Sequence, residues 1–377
     1  MSDARLHAGR TPGLASRGAA TVLCTAACFG LPALVATVQA ESAVALCRDP
    51  AAGSAAVRAF CSGLEKDAAG DQAGALEDFE RAVALQPEMP EPHLMLGIAY
   101  ADRQDHARAI REYDLYIAAA PGNPAAWSNR AVAHLELGNL QAARADIDRA
   151  AQLAPGERDI IENRIVIAHR SGDWPTVVSD TSNLLEQFPN DVALRLERGK
   201  ALATLDAFET ARDDFDRAVV LAPSAEAYYF RGRTHHELGN DDAAIYDYSK
   251  AIEFDPKLAD AYRRRAFSEY RQQRYLGAAQ DCAEYARQRP DDSEGYYCRG
   301  IMLSRAGDHD AAIAEYERAI ARAKSAEAAG NAWYGIGVSH ERAGRMAEAV
   351  TAYRTTLTVY PEQAQASAAL DRLTRQK

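Results

Sequence analysis

The chain has 377 residues, of which 47% are hydrophobic and 26% charged, a composition that supports a folded core and argues against a disordered polyelectrolyte. Its formal net charge of −11 at pH 7 argues against general attraction to nucleic acid or to anionic membrane surfaces. Length alone predicts two or three globular domains. Internal repeats would remove that inference, because each repeat packs only on its neighbours and the core lengthens with every repeat that is added.

Residues 1–40 have the layout of a secretory signal peptide. Arg5, Arg10 and Arg17 precede an apolar run over residues 19–38. Val38 and Ala40 are the small residues at the −3 and −1 positions of a cleavage site after Ala40. Two alternatives stay open, an uncleaved membrane anchor over residues 19–38 and an organelle transit peptide. The apolar run approaches the ~20 residues that span a bilayer. The sequence therefore predicts an exported, periplasmic protein, with a membrane-anchored protein as the alternative.

Two pairs of cysteines remain after residue 40. Cys47 and Cys61 are 14 residues apart, and Cys282 and Cys298 are 16 apart. In an oxidising compartment such sequence-local pairs are disulfide candidates. The alternative is four buried free thiols, because cysteine also packs well as a small apolar residue. The spacing does not match a zinc site, and neither a metal nor a cofactor is predicted.

Prolines recur at a nearly constant spacing from residue 87 onwards. Pro87, Pro121, Pro155 and Pro189 are 34 residues apart, and Pro223, Pro256 and Pro290 continue the series with one step of 33. Each proline lacks a backbone N–H and disfavours helix in the residue before it, so each ends a helix. A repeat of this length holds two short helices.

Small residues recur within each repeat at the point where its two helices are expected to cross. On the first helix they are Gly63, Gly97, Ala131, Gly199, Gly232, Ala266, Gly300 and Gly337. On the second helix an alanine is followed four residues later, in most repeats, by a bulky side chain: Phe79, Tyr113, Ile147, Phe215, Tyr248, Tyr316 and Tyr353. Small residues allow close approach of two helices, and the bulky residue fills the adjacent groove.

These positions resemble the tetratricopeptide repeat, with its W-x2-L-G-x2-Y…A-x3-F…P pattern. The resemblance implies an all-α, right-handed solenoid of helix-turn-helix units. We expect a lead over 41–55, then nine units and a C-terminal capping helix over 364–377. The units span 56–89, 90–123, 124–157, 158–191, 192–224, 225–258, 259–292, 293–329 and 330–363. Repeat four departs most from the pattern, and repeat eight has Lys324 in place of proline, which predicts that its second helix continues towards Gly330.

An arginine replaces the usual leucine of the pattern in six consecutive repeats. These arginines are Arg130, Arg164, Arg198, Arg231, Arg265 and Arg299. Sixteen residues later the same repeats carry Asp146, Asp180, Asp214, Asp247, Asp281 and Glu315. We predict a structural ladder of partly buried arginine–carboxylate pairs that joins the two helices of each repeat. The alternative is that these arginines face a ligand.

Repeats one, two and nine lack the arginine–acid pair, in two different ways. Repeat nine has Ile336 and Ala352 at the two ladder positions, so both partners are missing together. Repeats one and two keep Asp78 and Glu112 but have no arginine at the partner position.

In this family the first helix of each repeat lines the concave surface. The resemblance therefore places an aromatic and basic cluster on that surface in repeats six to eight. Its members are Tyr229, Phe230, Arg233, Arg263, Arg264, Phe267, Tyr270, Arg271, Tyr297 and Arg305. Tyrosine and arginine are enriched at binding hot spots, which favours a ligand surface. The alternative is that the arginines pair with Glu226, Glu237, Asp260 and Glu294 on the same face and bind nothing.

No catalytic motif is present, and an enzyme is not predicted. His235-His236-Glu237 lacks the spacing of a zinc protease helix. The carboxylate clamp of the chaperone-binding family members is absent, because the neighbours of Asn129 and Asn163 do not fit it. We predict a protein–protein interaction scaffold of the cell envelope that binds a partner segment in the concave groove. The alternatives are an accessory factor that binds an acidic polysaccharide through the cluster of repeats six to eight, and a structural spacer. Neither nucleic acid nor membrane is predicted as a partner, except through an uncleaved N-terminal segment.

Overall fold

A computed structural model describes residues 46–47 and 53–375 of the chain. Within these residues there are 19 helices and no strand, so the predicted all-α fold is confirmed. The predicted signal peptide over 1–40 and most of the lead over 41–55 lie outside the described residues. None of the described helices is both long and apolar enough to cross a bilayer.

The helices form nine consecutive pairs followed by one terminal helix. They are α1 (Ala55–Ala68), α2 (Gln72–Leu85), α3 (Pro90–Asp102), α4 (His106–Ala119), α5 (Pro124–Glu136), α6 (Leu140–Leu153), α7 (Arg158–Ser171), α8 (Trp174–Gln187), α9 (Val192–Thr204), α10 (Phe208–Leu221), α11 (Ala225–Glu237), α12 (Asp241–Phe254), α13 (Ala259–Arg271), α14 (Tyr275–Gln288), α15 (Ser293–Ala306), α16 (His309–Ile320), α17 (Ala326–Arg342), α18 (Met346–Val359) and α19 (Ala364–Arg375). Odd-numbered helices up to α17 are the first helices of the repeats, and even-numbered ones are the second.

The chain divides into two compact units between Ile167 and Ala168, inside α7 of the divergent repeat four. The first unit has an apolar core that includes Phe60, Phe79 and Tyr113. In the second unit, bulky residues at one repeated position are buried in successive repeats, as Phe215, Tyr248, Tyr316 and Tyr353 show. Each core therefore extends from repeat to repeat, as expected of an array whose units pack on their neighbours.

Close helix crossings explain the pairing of small and bulky residues. A Cβ atom at Gly199 would lie 2.6 Å from Cε1 of Phe215, and one at Gly232 would lie 3.0 Å from Cε1 of Tyr248. The glycine of the first helix therefore leaves the space that the ring of the second helix occupies. Close packing of this kind tolerates little change in side-chain volume.

The prediction that the second helix of repeat eight continues towards Gly330 is wrong. The second helix of repeat eight, α16, ends at Ile320, and α17 begins at Ala326, four residues before the predicted start of repeat nine. The Ser325 hydroxyl accepts a hydrogen bond from the Ala328 N–H at 3.1 Å, which caps α17 at this earlier residue. The extra residues of this segment therefore lengthen a first helix and not a second one.

Arginine–carboxylate pairs join the two helices of several repeats, and we call each such pair a rung. In four rungs the arginine donates two hydrogen bonds of 2.7–2.8 Å to one carboxylate: Arg130 to Asp146, Arg198 to Asp214, Arg231 to Asp247 and Arg265 to Asp281. In a fifth rung, Arg299 donates one bond of 2.9 Å to Glu315. Arg164 and Asp180 belong to different units, and the sixth pair stays a prediction.

The rung arginines also reach the preceding repeat. Nη1 of Arg198 donates to Ser182 Oγ at 3.0 Å, and Nη1 of Arg265 donates to Ser249 Oγ at 2.9 Å. Arg130 and Arg231 make the corresponding bonds to Asp114 and Asp216. Each of these guanidinium groups therefore connects three helices, two in its own repeat and one in the repeat before. The sequence pattern, with its single spacing of sixteen residues, predicted only the first of these connections.

In repeats one and two, the acidic residue pairs with a basic side chain from another position. Lys66 Nζ lies 2.6 Å from Asp78, which also accepts a hydrogen bond from Ser62 Oγ. In repeat two, His93 Nδ1 lies 2.6 Å from Glu112. The carboxylate is thus the feature that these repeats share, while the identity and position of its partner vary.

Both cysteine pairs are joined in the structure. Cys47 bonds to Cys61 on α1, and Cys282 on α14 bonds to Cys298 on α15, with Cα–Cα distances of 5.6 and 5.7 Å. These distances suit an ordinary disulfide. The second bond connects repeat seven to repeat eight.

We predict that the rung of repeat six is a coupled pair. Because Asp247 is 1% exposed, its loss in Asp247→Ala leaves the Arg231 guanidinium without its main partner and should cost about 3–5 kcal/mol of unfolding free energy. The double variant Arg231→Ala/Asp247→Ala should lose less than the sum of the two single variants. Denaturant unfolding of the four proteins measures the coupling, and additive losses would refute the rung.

Lys250 and Glu253 provide a matched control. This pair is 2.7 Å apart on the more exposed surface of the same repeat. Its coupling should be only about 0.3–0.5 kcal/mol, because water screens exposed ion pairs.

The rung also predicts a dependence on pH. Burial raises the pKa of Asp247, and Arg231 opposes that rise. In Arg231→Ala the opposing charge is gone, so the folded variant binds more protons than the unfolded chain above the ordinary carboxyl pKa of about 4. Its stability then falls as the pH rises. We expect Arg231→Ala to lose more stability relative to wild type at pH 7 than at pH 5. An equal or smaller loss at pH 7 would contradict this.

Reduction should weaken the junction between repeats seven and eight. A disulfide that closes a loop of this length stabilises the folded state by about 3 kcal/mol. In the oxidised protein, Cys282→Ser/Cys298→Ser should lower the unfolding free energy by that order. The double variant should lose the part of the wild-type sensitivity to reductant that comes from this bond and keep the part that comes from Cys47–Cys61. Unfolding of the wild type that does not change with reductant would contradict a stabilising bond.

Candidate functional site

The aromatic and basic residues predicted to bind a ligand lie on the first helices α11, α13 and α15 of the second unit. We call the surface that carries them the Arg/aromatic face. Arg271 and Arg305 are exposed, and the other members are half-buried: Tyr229, Phe230, Arg233, Arg263, Arg264, Phe267, Tyr270 and Tyr297. The structure gives these residues different environments, and those environments decide which of them have capacity left for a ligand.

Phe230 is the centre of an aromatic and cationic stack at the start of this face. Its ring stacks on Phe215 with centroids 5.9 Å apart, and Tyr229 contacts it edge-on at 5.3 Å. The Arg233 guanidinium lies 5.6 Å from the ring centroid, and Lys200 Nζ lies 5.3 Å from it. Cation–π contacts of this kind hold the arginine in place while leaving its N–H groups available to other partners.

Three polar groups near this stack are buried without a hydrogen bond. They are Nε of Arg233, Nε of Arg264 and the hydroxyl of Tyr248, none of which has a hydrogen-bond partner in the part of the chain that the structure describes. Tyr248 is 0% exposed, and the two arginines act electrostatically on its phenol. We call these three residues the donor cluster. A buried donor without an acceptor is costly, at about 1–3 kcal/mol, and most such groups in native structures have a partner.

The donor cluster suits an anion. Burial raises the pKa of the Tyr248 phenol well above its ordinary value, so the hydroxyl keeps its proton and can donate it. Arginine stays charged at any ordinary pH and presents its N–H groups in a planar fork. Two guanidinium groups and a phenol hydroxyl together offer the donors that a carboxylate accepts.

Arg263 and Arg271 each pair with local acids, although Nε of Arg263 is buried without a hydrogen bond among the described residues. Nη1 of Arg263 donates to Glu294 at 2.6 Å, and its Nε lies 3.8 Å from Asp260. Arg271 lies 3.1 Å from Asp241 and donates to a backbone carbonyl on α11. For Arg263 the structure therefore matches the alternative in which face arginines pair with local acids.

The remaining members of the face mainly pack. Phe267, Tyr270 and Tyr297 contact the apolar core of the later repeats. The Arg305 guanidinium lies 5.6 Å from the Tyr270 ring. The structure thus brings Tyr229, Phe230, Arg233 and Arg264 together with Tyr248 and Lys200, and it leaves the others to support the helices.

Sequence reasoning missed Tyr248 and Lys200. Tyr248 occupies the bulky position that fills the helix crossing, and the repeat pattern predicts only packing for its ring. The available signal was that a tyrosine in a core position needs a hydrogen-bond partner. Lys200 lies in repeat five at the position that Arg233 occupies in repeat six. Comparison of equivalent positions across repeats would have identified it.

Removal of the Tyr248 hydroxyl should not weaken the fold. Tyr248→Phe deletes a buried group that lacks a hydrogen-bond partner, so the unfolding free energy should stay the same or rise by up to about 1 kcal/mol. Tyr353→Phe is the control, because the Tyr353 hydroxyl donates to Glu341 at 2.8 Å and its loss should cost about 1 kcal/mol. Denaturant unfolding measures both, and a larger loss in Tyr248→Phe than in Tyr353→Phe would contradict the assignment.

Comparison with known families identifies the repeats. Three family models match the chain, two described as tetratricopeptide repeat and one as TPR repeat. The first matches residues 96–165, the second matches 62–124, 182–226 and 299–369, and the third matches 232–273. Together they cover more than half of the chain.

Two relatives share shorter stretches. The Protein SGT1 homolog of Oryza sativa subsp. japonica is 37% identical over 82 residues, which are 22% of this chain and 22% of that protein. Sperm-associated antigen 1 of Rattus norvegicus is 30% identical over 138 residues, which are 36% of this chain and 15% of that protein. The chain therefore spans about a fifth or less of these relatives.

Two solved structures are among those similar to parts of this chain. A tetratricopeptide repeat protein from Parabacteroides merdae ATCC 43184 is 18% identical with a TM-score of 0.48, and the match covers 66% of this chain and 97% of that one. YrrB, described as a TPR protein with an unusual peptide-binding site, is 18% identical with a TM-score of 0.45, over 50% of this chain and 96% of that one.

Proposed function

Because this chain belongs to the tetratricopeptide repeat family, we propose that it is an interaction scaffold that holds an acidic segment of a partner protein on the Arg/aromatic face. Repeats of this family typically form interaction scaffolds and not enzymes. The observation that carries the finer proposal is the donor cluster of Arg233, Arg264 and Tyr248, whose buried donors lack partners among the described residues.

An aspartate or glutamate side chain of the partner supplies the missing acceptor. Its carboxylate accepts from the two guanidinium groups and the phenol, and bonds to charged groups contribute about 1.5–3 kcal/mol each. Tyr229 and Phe230 flank the cluster and provide aromatic contact area, the kind of residue that dominates binding energy at protein interfaces. Lys200 lies at the edge of this surface, where its ammonium is already paired with Glu197 at 2.5 Å and with Glu226 at 3.0 Å.

The cell envelope is the location that fits this function. Support comes from the signal-like layout of residues 1–40 and from the two disulfides, which persist in oxidising compartments. The mature protein isolated from its own cells should begin at Glu41 and carry both disulfides. Intact-mass and peptide-mapping measurements on that protein test this, and a chain that retains residues 1–40 would favour the membrane anchor.

An acidic polysaccharide is the second candidate ligand, because its carboxylates would meet the same donors. The two candidates differ in what lies between the carboxylates. An extended peptide brings apolar side chains and amides to Tyr229 and Phe230, whereas a polysaccharide brings hydroxylated rings.

Direct titration should separate these ligands. The probes are a blocked peptide with spaced glutamates, its glutamine counterpart, and an oligogalacturonate of similar length, each measured by calorimetry at low salt. We expect the glutamate peptide to bind and the glutamine peptide to bind at least tenfold more weakly. Stronger binding of the oligogalacturonate would favour the second candidate.

Charge-neutralising variants localise the binding. Arg233→Gln/Arg264→Gln should weaken the glutamate peptide at least tenfold, because both donors of the cluster are lost. Arg287→Gln is the control, since Arg287 lies on the second helix α14 and pairs with Glu284 at 2.6 Å. Equal affinity in all three proteins would refute the donor cluster as the site.

A further inference from the structure

Repeat nine contains a pocket at the place where the other repeats hold their rung. The pocket has a volume of about 400 Å³ and lies between α17 and α18. It is lined by Trp333, Ile336, His340, Glu348, Thr351 and Ala352, together with Ala347 and Thr355 of α18. We call it the rung pocket. Glu348 and Thr351 are exposed, so the pocket opens to solvent.

Repeat three shows what occupies this position when the rung is present. The residues correspond in register as Trp333 to Trp127, Ile336 to Arg130, His340 to His134 and Ala352 to Asp146. In repeat three the Arg130 guanidinium lies 4.8 Å from the Trp127 ring and binds Asp146 through two hydrogen bonds of 2.7 Å. Repeat nine keeps the tryptophan and the histidine but replaces both charged partners with apolar residues. The pocket therefore has the aromatic wall of a guanidinium site and lacks the guanidinium.

We propose that the rung pocket binds the side chain of an arginine on a partner protein. The guanidinium would stack on Trp333 as Arg130 stacks on Trp127, and it would donate to Glu348 at the open edge. Thr351 and Thr355 donate their own hydroxyl protons to helix carbonyls at 3.0 and 3.1 Å, which leaves their oxygens as acceptors. The proposed occupant is thus an arginine side chain, the same side chain that this protein supplies itself in the five described rungs.

The charges around the pocket favour a cation. Glu348 is exposed and carries the only acidic group among the residues that line it. Burial lowers the pKa of His340, so this ring adds no positive charge at neutral pH. Nη1 of the nearby Arg345 donates to Asp310, while Nε and Nη2 of this arginine are buried without a hydrogen bond among the described residues. The whole chain is acidic, with a formal net charge of −11, and so attracts a basic partner surface.

Arginine fits the pocket better than lysine. A guanidinium is flat, stacks on an aromatic face and donates in several directions in one plane, whereas an ammonium is a compact and strongly hydrated charge. Glu348 and the threonine hydroxyls lie on one helix and offer acceptors to such a fork. This second contact involves none of the residues of the donor cluster, so it does not depend on the proposed acidic ligand.

The indole N–H signals of the three tryptophans report binding directly. The probe is the blocked tripeptide Gly-Arg-Gly, with Gly-citrulline-Gly as its neutral counterpart, titrated into the ¹⁵N-labelled protein. We expect the Trp333 signal to shift with Gly-Arg-Gly and to shift much less with the citrulline peptide. Trp127, whose face Arg130 covers, and Trp174, which contacts His169 edge-on, should not move.

Two variants test whether the pocket is a vacant rung. Ala352→Asp supplies the missing carboxylate and should raise the affinity for Gly-Arg-Gly about tenfold. Ile336→Arg/Ala352→Asp builds an internal rung, so the Trp333 signal should no longer respond to the peptide. In both variants the glutamate peptide should still bind the Arg/aromatic face with wild-type affinity, which separates this proposal from the proposed function.

Several results would overturn the proposal. A Trp333 signal that ignores Gly-Arg-Gly, or that responds equally to the citrulline peptide, would exclude a guanidinium site. A double variant that still binds the peptide would place the contact elsewhere. Tighter binding of free arginine than of the blocked tripeptide would indicate a small-molecule site and not a contact with a partner protein.

Discussion

The bidentate bond between one arginine and one buried carboxylate is the interaction on which this array depends. Buried charges are tolerated only when they are paired and hydrogen-bonded. Here each rung satisfies a carboxylate and, in four described repeats, also connects its guanidinium to the preceding repeat. Apolar packing of an alanine-rich array is not strongly directional. The rungs add directional contacts at a fixed spacing, so they set the register of one helix pair on the next.

The same chemistry explains the two candidate binding surfaces. Where an arginine meets its carboxylate inside the chain, as Arg231 meets Asp247, it has little capacity left for a ligand. Where the acceptor is missing, as at Arg233 and Arg264, a donor is left for a partner to satisfy. Where the arginine itself is missing, as in repeat nine, a tryptophan-lined pocket remains. Both candidate binding surfaces are therefore places where an arginine–carboxylate pair lacks one of its two partners.

Most of the fold was predictable from the sequence, because a repeat pattern constrains every unit at once. The closing prolines, the small crossing residues and the spacing of sixteen between arginine and acid all follow a single register. The prediction that α16 continues towards Gly330 failed because this helix ends without a proline, and Ser325 caps the next helix at an earlier residue than the repeat pattern implies. The candidate site was predicted only in outline. Residue types identified the face, but the bond from Nη1 of Arg263 to Glu294 and the missing acceptor at Nε of Arg264 depend on side-chain geometry that spacing does not contain.

The central claim is that Nε of the rung arginines Arg198, Arg231 and Arg265 has an internal acceptor, whereas Nε of Arg233 and Nε of Arg264 have none among the described residues. The most direct measurement is the ¹⁵N spectrum of the arginine Nε–H groups with and without a glutamate-containing peptide. The account predicts that the Arg233 and Arg264 signals shift while those of Arg198, Arg231 and Arg265 stay in place. Unchanged signals from Arg233 and Arg264, or shifts centred on the rung arginines, would contradict it.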